Sequence, residues 1–275
     1  MRGRLPETAL VILAVLFALW GYRKPADPTS AFVLRDKPDY LMRVVTWNIG
    51  QAGGESASWE IISQVSRVLQ SLNADMILLQ EVPGADSAGR IGNSLGGHWH
   101  LETSEQAGRI LATFSEQRSL IRHAGRFQSD AALFCSYGLQ DGRLIGVMNL
   151  HANPYSARRR NRQIGRSAEI LLQTKKHSAF AGILAGDLNL DIDLDKRRDL
   201  FTDNEHLDVE TYNALVAHYR DAAVNGGSTA EPDRRLDYIF YSPGKLNLIQ
   251  AGPFKGQRVG AMDHDPVVAD FDISD

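Results

Sequence analysis

A recurring pattern in this chain is a short apolar run that ends in a polar side chain. Met42–Trp47 is followed by Asn48, and Met76–Leu79 is followed by Gln80-Glu81. Runs of this length that are rich in β-branched and aliphatic residues predict buried β-strands. Five predicted strands end in, or lead into, an Asn, Glu, His or Asp, and a sixth begins with an Asp. These side chains serve metal and phosphate chemistry, so the strand ends are the candidate functional positions.

The segments between these strands carry helical periodicity. Ser58–Asn73 places its apolar residues on one helical face with Ser58 as the N-cap, and Ser156–Thr174 and Val209–Tyr219 are also predicted as helices. The Asp141-Gly142 pair predicts a hairpin turn between two neighbouring strands. Hairpin-connected strands with a few flanking helices indicate mixed sheets with outer helices, rather than a doubly wound parallel sheet.

Composition excludes several classes of protein. With 275 residues, 43% hydrophobic content and a net charge of −3, the chain can bury a large core and does not resemble a disordered segment. Its single cysteine, Cys135, excludes an intramolecular disulfide framework and a cysteine-rich zinc site. Cys135 stands in an apolar stretch, which predicts that it is buried. The near-neutral charge argues against a protein that binds nucleic acid mainly through bulk positive charge.

Residues 1–22 differ from the rest of the chain, because a basic start at Arg2 and Arg4 precedes an unbroken apolar run. This layout predicts a signal peptide or a short membrane anchor, with any membrane attachment through residues 9–22. Fourteen helical residues span about 21 Å, less than a hydrocarbon core of roughly 30 Å, which favours the signal peptide. Residues 23–40 contain three prolines and are predicted as a linker that leads into a domain at 41–275.

Polar motifs follow one another in a definite order at the predicted strand ends. They are Thr46-Trp47-Asn48, Gln80-Glu81, His151, Gly186-Asp187-Leu188-Asn189, Asp237-Tyr238-Ile239 and Asp263-His264-Asp265-Pro266-Val267. Each motif alone is more often a turn or a solvated loop, but together and in this order they resemble the endonuclease/exonuclease/phosphatase superfamily of DNase I-like hydrolases. The resemblance covers Met42 to Asp272. It implies a four-layer α/β/β/α sandwich of two packed mixed β-sheets with outer helices.

The resemblance also implies a metal-dependent hydrolase of phosphoester bonds, with residues 41–275 as its catalytic domain. Glu81 would be the principal ligand of Mg²⁺, with Mn²⁺ as an alternative. Asn48 and Asp263 would be further ligands or would support the ligands. A hard divalent cation prefers oxygen ligands of this kind and keeps several of its waters.

Five further residues receive catalytic roles from the same resemblance. Asp187 would orient or deprotonate the attacking water, and Asn189 would hold the phosphate or the water. His151 and His264 would flank the phosphate, where they stabilise its charge or transfer protons. Asp237 would fix the tautomer and the orientation of His264.

A run of arginines follows closely after His151: Arg158, Arg159, Arg160, Arg162 and Arg166. Arg159 and Arg160 are predicted to contact the phosphates of a substrate, although a run of this kind is as often a solvated helix face. Without residues 1–30, 26 basic and 31 acidic residues remain, a net charge of −5. The arginines would therefore supply local positive charge on a mildly acidic domain.

The preferred interpretation is an exported nuclease, either membrane-tethered or periplasmic or secreted, that acts as a monomer on DNA or RNA. One alternative is a phospholipid or sphingomyelin phosphodiesterase of the same fold. Another is a catalytically silent scaffold that uses the fold for binding. The presence of all the acidic and histidine positions named above favours an enzyme over the scaffold.

The N-terminal pattern predicts that the protein leaves the cytoplasm, because a basic start and an apolar run engage export machinery. Cell fractionation is expected to find it at the membrane or beyond it. Mass spectrometry of the N-terminus then distinguishes the two forms. Loss of residues up to the linker indicates a cleaved signal, and an intact Met1 in the membrane fraction indicates an anchor. An intact chain found only in the cytoplasm would contradict the prediction.

Overall fold

The computed structural model describes residues 32–51, 57–96, 98–106, 109–116, 121–128, 131–139, 141–177, 181–193 and 207–274. The predicted signal peptide or anchor and the first part of the predicted linker lie outside the described residues. Phe32–Asp275 form one compact unit. Phe32 lies against Gly252, and Lys37 pairs with Asp75 at 2.7 Å, so residues 32–40 pack on the domain instead of linking to it.

Twelve strands run through the described residues. The first six are β1 (Leu41–Asn48), β2 (Met76–Val82), β3 (Trp99–Gln106), β4 (Arg109–Glu116), β5 (Ile121–Gln128) and β6 (Ala132–Gly138). The others are β7 (Leu144–His151), β8 (Ala181–Asp187), β9 (Arg220–Asp221), β10 (Asp237–Tyr241), β11 (Asn247–Pro253) and β12 (Val267–Asp272).

The strands form two six-stranded sheets, with the orders β11-β12-β1-β2-β4-β3 and β5-β6-β7-β8-β10-β9. β1 pairs in parallel with β2, and β7 pairs in parallel with β8. The other pairings are antiparallel. Both sheets are therefore mixed, as the sequence predicted.

Four helices occur in the described part of the chain: α1 (Trp59–Leu72), α2 (Ala85–Ser94), α3 (Ala157–His177) and α4 (Leu207–Val216). Ser58 caps α1 as predicted, because its hydroxyl accepts a hydrogen bond from the backbone N–H of Ile61 at 3.3 Å. The described residues contain no helix that is both long and apolar enough to cross a membrane.

The layers follow from the alternation of side chains along each strand. In β1, Met42 and Val44 belong to the core between the sheets, whereas Val45 and Trp47 pack in the core beneath α1 and α2. A third core lies between the second sheet and α3 and α4. The buried Cys135 belongs to the core between the sheets. The four-layer α/β/β/α sandwich is therefore confirmed.

Three strands and one helix were not predicted: β3, β5, the two-residue β9 and α2. β3 and β5 lie at the edges of their sheets, and their sequences, WHLETSEQ and IRHAGRFQ, contain no continuous apolar run. An edge strand pairs on one side only, so it can form without the hydrophobic signature of an inner strand. α2 contains two glycines, Gly89 and Gly92, and a single large apolar residue, Ile91, so its sequence disfavours the prediction of a helix.

A buried ion pair joins β1 to β12. Arg43 is 2% exposed, and its Nε and Nη2 donate to Oδ1 and Oδ2 of Asp270 at 2.7 and 2.9 Å. Other guanidinium N–H groups donate to the backbone oxygens of Leu72 and Arg35. This network compensates a charge that would otherwise be costly to bury.

Replacing Asp270 with Ala is expected to lower the free energy of unfolding by about 3–5 kcal/mol, because Arg43 would keep its buried charge without a partner. Urea denaturation measures this change. The matched control is Glu169→Ala, which breaks the exposed pair between Arg166 and Glu169 and is expected to cost less than about 0.5 kcal/mol. Similar small losses in both variants would contradict the role assigned to Asp270.

Candidate active site

Strand direction brings the predicted site residues to one edge of the sandwich, namely the edge at which the strands end or begin and not the side formed by an edge strand. The carboxyl ends of β1, β2, β7 and β8 lie at this edge. β10 and β12 run antiparallel to their neighbours β8 and β1, so both begin there. Residues at or next to the ends of these four strands therefore lie near Asp237, the first residue of β10, and near His264, in the loop before β12.

The second sheet contributes three polar residues in register. His151 pairs with Asp187, and Asp187 pairs with Asp237 on its other side. Asp187 and Asp237 are buried, with 2% and 0% of their surface exposed. Because side chains at paired positions share a face of the sheet, all three project toward the first sheet.

Asn48 connects this row to the first sheet. Its Nδ2 donates to Oδ2 of Asp187 at 2.9 Å and to Oε1 of Glu81 at 3.2 Å, and its Oδ1 accepts the backbone N–H of Gly50 at 2.9 Å. An amide at this position therefore holds two carboxylates near each other without adding charge.

Glu81 turns into the site at an irregularity in β2. Its φ is 55°, within the stretch between Leu79 and Val82 where the pairing with β4 shifts. Its Oε2 accepts a hydrogen bond from Nη1 of Arg109, the first residue of β4. The sequence did not predict a role for Arg109, since a lone arginine at a strand start carries no recognisable signal.

His264 is held by a buried carboxylate. Its Nδ1 lies 2.8 Å from Oδ2 of Asp237, which also accepts the hydroxyl of Thr229 at 2.7 Å. Burial disfavours the imidazolium, but the carboxylates of Asp237 and Asp187 outweigh burial and raise the pKa of His264 to about 10. His264 is therefore positively charged at neutral pH, with the predicted partner Asp237. Thr229 was not predicted, because nothing in its local sequence marks it.

The two histidines face the same carboxylate. Nε2 of His151 lies 3.7 Å from Oδ2 of Asp187 and 3.7 Å from Oε1 of Glu81. Nε2 of His264 lies 3.8 Å from the same oxygen of Asp187 and 3.9 Å from Oδ1 of Asp263. The predicted residues of both sheets are thus in one cluster.

Asn189 lies beside this cluster. Its backbone N–H donates to Oδ1 of Asp187 at 2.9 Å, and its Nδ2 donates to the backbone oxygen of Ala152 at 3.1 Å. Asn189 therefore orients Asp187 and ties the loop after His151 to the site.

Two buried amides join the sheets directly beneath the site. Nε2 of Gln80 donates to Oδ1 of Asn149 at 2.8 Å, and both residues are 0% exposed. Nδ2 of Asn149 lies 3.1 Å from each of the backbone oxygens of Leu79 and Ala112. A role for Gln80 was not predicted, although Gln80 precedes Glu81 in the chain. The available signal was an amide side chain inside each of two otherwise apolar strands.

The donor set fits a hard divalent cation. Glu81 and Asp263 offer carboxylate oxygens, and their side chains are 26% and 46% exposed, which leaves room for a cation that keeps several waters. Asn48 would support the ligands, because its Nδ2 donates to Oε1 of Glu81 while its Oδ1 is bonded to the backbone N–H of Gly50. Glu81 and Asp263 are therefore the residues that would hold such a cation, with Asn48 beside them.

Another group in the site has the composition of a metal centre. Asp187, Asp237 and His264 each place one potential ligand atom within 4.8 Å of the others. A histidine that is protonated on both ring nitrogens has no lone pair for a metal. The ion pair with Asp237 therefore favours the catalytic role predicted for His264.

The two arginines predicted to contact substrate have different environments. Arg160 is 0% exposed, and its Nε and Nη2 donate to Asp208 at 3.0 and 2.8 Å. Its Nη1 donates to the backbone oxygens of Asn153 and Pro154. Arg160 thus joins α3 to α4, and the prediction that it contacts substrate is wrong. Arg159 is exposed in the first turn of α3, and its contact with substrate stays a prediction.

Replacing Asp237 with Asn is expected to lower the pKa of His264 by about 1–3 units, because the facing carboxylate charge is lost. NMR titration of the imidazole nitrogens in the protein treated with chelator measures the change. The matched control is Asp141→Asn at an exposed turn, which should leave His264 unchanged. Identical titration of His264 in the wild type and in Asp237→Asn would contradict this assignment.

Known structures share this fold at low sequence identity. A protein of the endonuclease/exonuclease/phosphatase family from Bacteroides thetaiotaomicron is 15% identical, with a TM-score of 0.63 over 84% of this chain and 94% of that chain. The human Nocturnin catalytic domain, solved with sulfate, is 19% identical, with a TM-score of 0.65 over 84% and 94%. A mannosyl-6-phosphatase from Bacteroides thetaiotaomicron is 15% identical, with a TM-score of 0.63 over 84% and 99%.

At these identities the structural likeness shows the fold alone. No curated protein sequence matches this chain significantly. The sequence model of the Endonuclease/Exonuclease/phosphatase family matches residues 45–275, which include every residue of the site. The chain belongs to the endonuclease/exonuclease/phosphatase family.

Proposed function

We propose that this protein is a divalent-cation-dependent phosphodiesterase that hydrolyses DNA or RNA. One observation carries the proposal: two histidines and two carboxylates face one another at the edge of the sandwich. His151 lies 3.7 Å from both Glu81 and Asp187, and His264 lies 3.8 Å from Asp187. Hydrolysis of a phosphodiester needs a base for the attacking water and positive charge around the phosphate, and this cluster supplies both.

Asp187 is suited to accept a proton from the attacking water. Its Oδ1 accepts the backbone N–H of Asn189, and its Oδ2 accepts Nδ2 of Asn48 and faces both histidines. These contacts hold the carboxylate in one orientation before substrate arrives. Such preorganisation removes the cost of positioning the base during the reaction.

His264 is suited to bind a phosphate oxygen. Its Nδ1 is bonded to Asp237, so its Nε2–H is the group that can donate to substrate. His151 approaches the same space from the end of β7 and can donate to a phosphate oxygen or to the leaving oxygen. A divalent cation held by Glu81 and Asp263 would add positive charge at the phosphate.

The surface formed by the loop after β7 and by α3 supports nucleic acid as the substrate. Tyr155 is 67% exposed in the loop after β7, and the loop is held by the contact of Asn189 with Ala152. Four exposed arginines continue along α3: Arg158, Arg159, Arg162 and Arg166. An exposed aromatic ring can contact a base, and arginines can contact successive phosphates.

We also propose that the protein acts outside the cytoplasm as a monomer, either released or tethered through residues 9–22. The support is the basic start and the apolar run of the first 22 residues, which lie outside the described part of the chain. In that location the substrate would be extracellular or periplasmic nucleic acid.

The double variant Glu81→Ala, His264→Ala is expected to lose activity on bis-p-nitrophenyl phosphate by at least about 100-fold, because it removes the main cation ligand and the charged histidine. Hydrolysis is followed by absorbance with Mg²⁺ or Mn²⁺. The matched control is Glu169→Ala, His218→Ala, which changes the same residue types at exposed positions and should retain full activity. Equal low rates in the wild type and the site variant would support the silent scaffold instead.

The same comparison of these three proteins on plasmid DNA, RNA and sphingomyelin vesicles distinguishes the substrate classes. The arginines of α3 lead us to expect cleavage of DNA or RNA. A clear preference for sphingomyelin would overturn nucleic acid as the substrate while leaving the phosphodiesterase activity in place.

A further inference from the structure

The two carboxylate oxygens of Glu81 have different surroundings. Oε2 accepts a hydrogen bond from Nη1 of Arg109. Oε1 accepts Nδ2 of Asn48 at 3.2 Å and lies 3.7 Å from Nε2 of His151. Oε1 therefore faces the catalytic cluster, whereas Oε2 faces an arginine.

The packing around Glu81 fixes this orientation. A Cβ added to Gly50 would lie 2.5 Å from Oε2 of Glu81 and 3.0 Å from Nη1 of Arg109, so the backbone of Gly50 closes one side of the pair. The side chains of Arg109 and Glu81 are 23% and 26% exposed. An ion pair that is mostly shielded from water and packed against backbone keeps its geometry better than a fully exposed pair.

Divalent cations differ in how they use a carboxylate. Mg²⁺ requires near-octahedral geometry with short bonds, keeps several waters and binds through few carboxylates. Ca²⁺ is larger, accepts six to eight oxygens and binds a carboxylate through one or both of its oxygens. A glutamate with only one oxygen available therefore suits Mg²⁺ and deprives Ca²⁺ of a bidentate ligand.

We propose that Arg109 is a cation-selectivity residue of this site. By holding Oε2 of Glu81, it leaves Oε1 as the oxygen of this carboxylate that a cation can bind, which favours Mg²⁺ over Ca²⁺. The inference rests on the proposed function, because it requires that Glu81 binds a divalent cation. Arg109 acts through Glu81 and is a positioning residue with respect to the reaction.

A simpler role for Arg109 would be that of a counter-charge. The positive guanidinium would then weaken the binding of every divalent cation to about the same extent, because Coulomb repulsion depends on charge and distance. Selective positioning instead changes the ratio of the Ca²⁺ and Mg²⁺ affinities. That ratio is the quantity to measure.

Calorimetric titration of the full-length protein with Mg²⁺ and with Ca²⁺ gives both affinities without any substrate. In Arg109→Met, the ratio of Ca²⁺ to Mg²⁺ affinity is expected to rise about tenfold over the wild type, the size of one charge-assisted hydrogen bond. Arg109→Lys keeps a cationic donor for Oε2 and is expected to stay within about twofold of the wild-type ratio. Arg159→Met removes an exposed arginine that is not bonded to Glu81 and controls for long-range charge.

The outcomes separate this inference from the proposed function. A raised ratio in Arg109→Met with rescue by Arg109→Lys supports the inference. Equal gains for both cations, or an unchanged ratio, overturn the inference and leave the phosphodiesterase proposal intact. A folded wild type that binds neither cation overturns both. Arg109→Ala, checked by circular dichroism, provides the same comparison if Arg109→Met does not fold.

Discussion

One hydrogen bond joins the two sheets at the candidate active site, from Nδ2 of Asn48 to Oδ2 of Asp187 at 2.9 Å. Further inter-sheet bonds lie beneath it: the amide of Gln80 donates to Asn149, and Asn149 donates to backbone oxygens of β2 and β4. The apolar core holds the sheets together but specifies their relative position only loosely, since hydrophobic contact is not directional. Directional bonds between the sheets set the position at which groups on different strands can meet. The short distances among the histidines and carboxylates depend on that position.

The concentration of negative charge at this edge determines the other contacts there. Glu81 and Asp187 both accept hydrogen bonds from Asn48, and Asp237 lies beside Asp187 on the neighbouring strand β10. Like charges at such distances repel strongly where water is excluded, so compensating groups are needed. Arg109 compensates Glu81, and the imidazolium of His264 compensates Asp237. The same excess of carboxylates would attract a divalent cation to this edge. The charges that must be compensated in the fold are therefore also the charges that the proposed hydrolysis would use.

The inner strands of the two described sheets were predictable, whereas three of the four edge strands, β3, β5 and β9, were not. β1, β2, β7 and β8 are buried on both faces, so they read as nearly continuous apolar runs whose ends are easy to locate. β3 and β5 pair on one side only, and polar residues interrupt any apolar run in their sequences. The site residues at the ends of the inner strands were predictable for the same reason, because a polar residue is conspicuous directly after an apolar run.

The order of the polar motifs along the chain resembles that of the family, and this resemblance implied the sandwich and eight residues of the site, from Asn48 to His264. It could not indicate contacts between distant segments. Arg159 and Arg160 are adjacent arginines, yet one is exposed and the other is buried against Asp208, 48 residues away. Likewise, Arg109 meets Glu81 only through the pairing of β2 with β4. Such contacts depend on the face of the helix that a residue occupies, on strand register and on packing against elements later in the chain. None of these follows from the local sequence pattern.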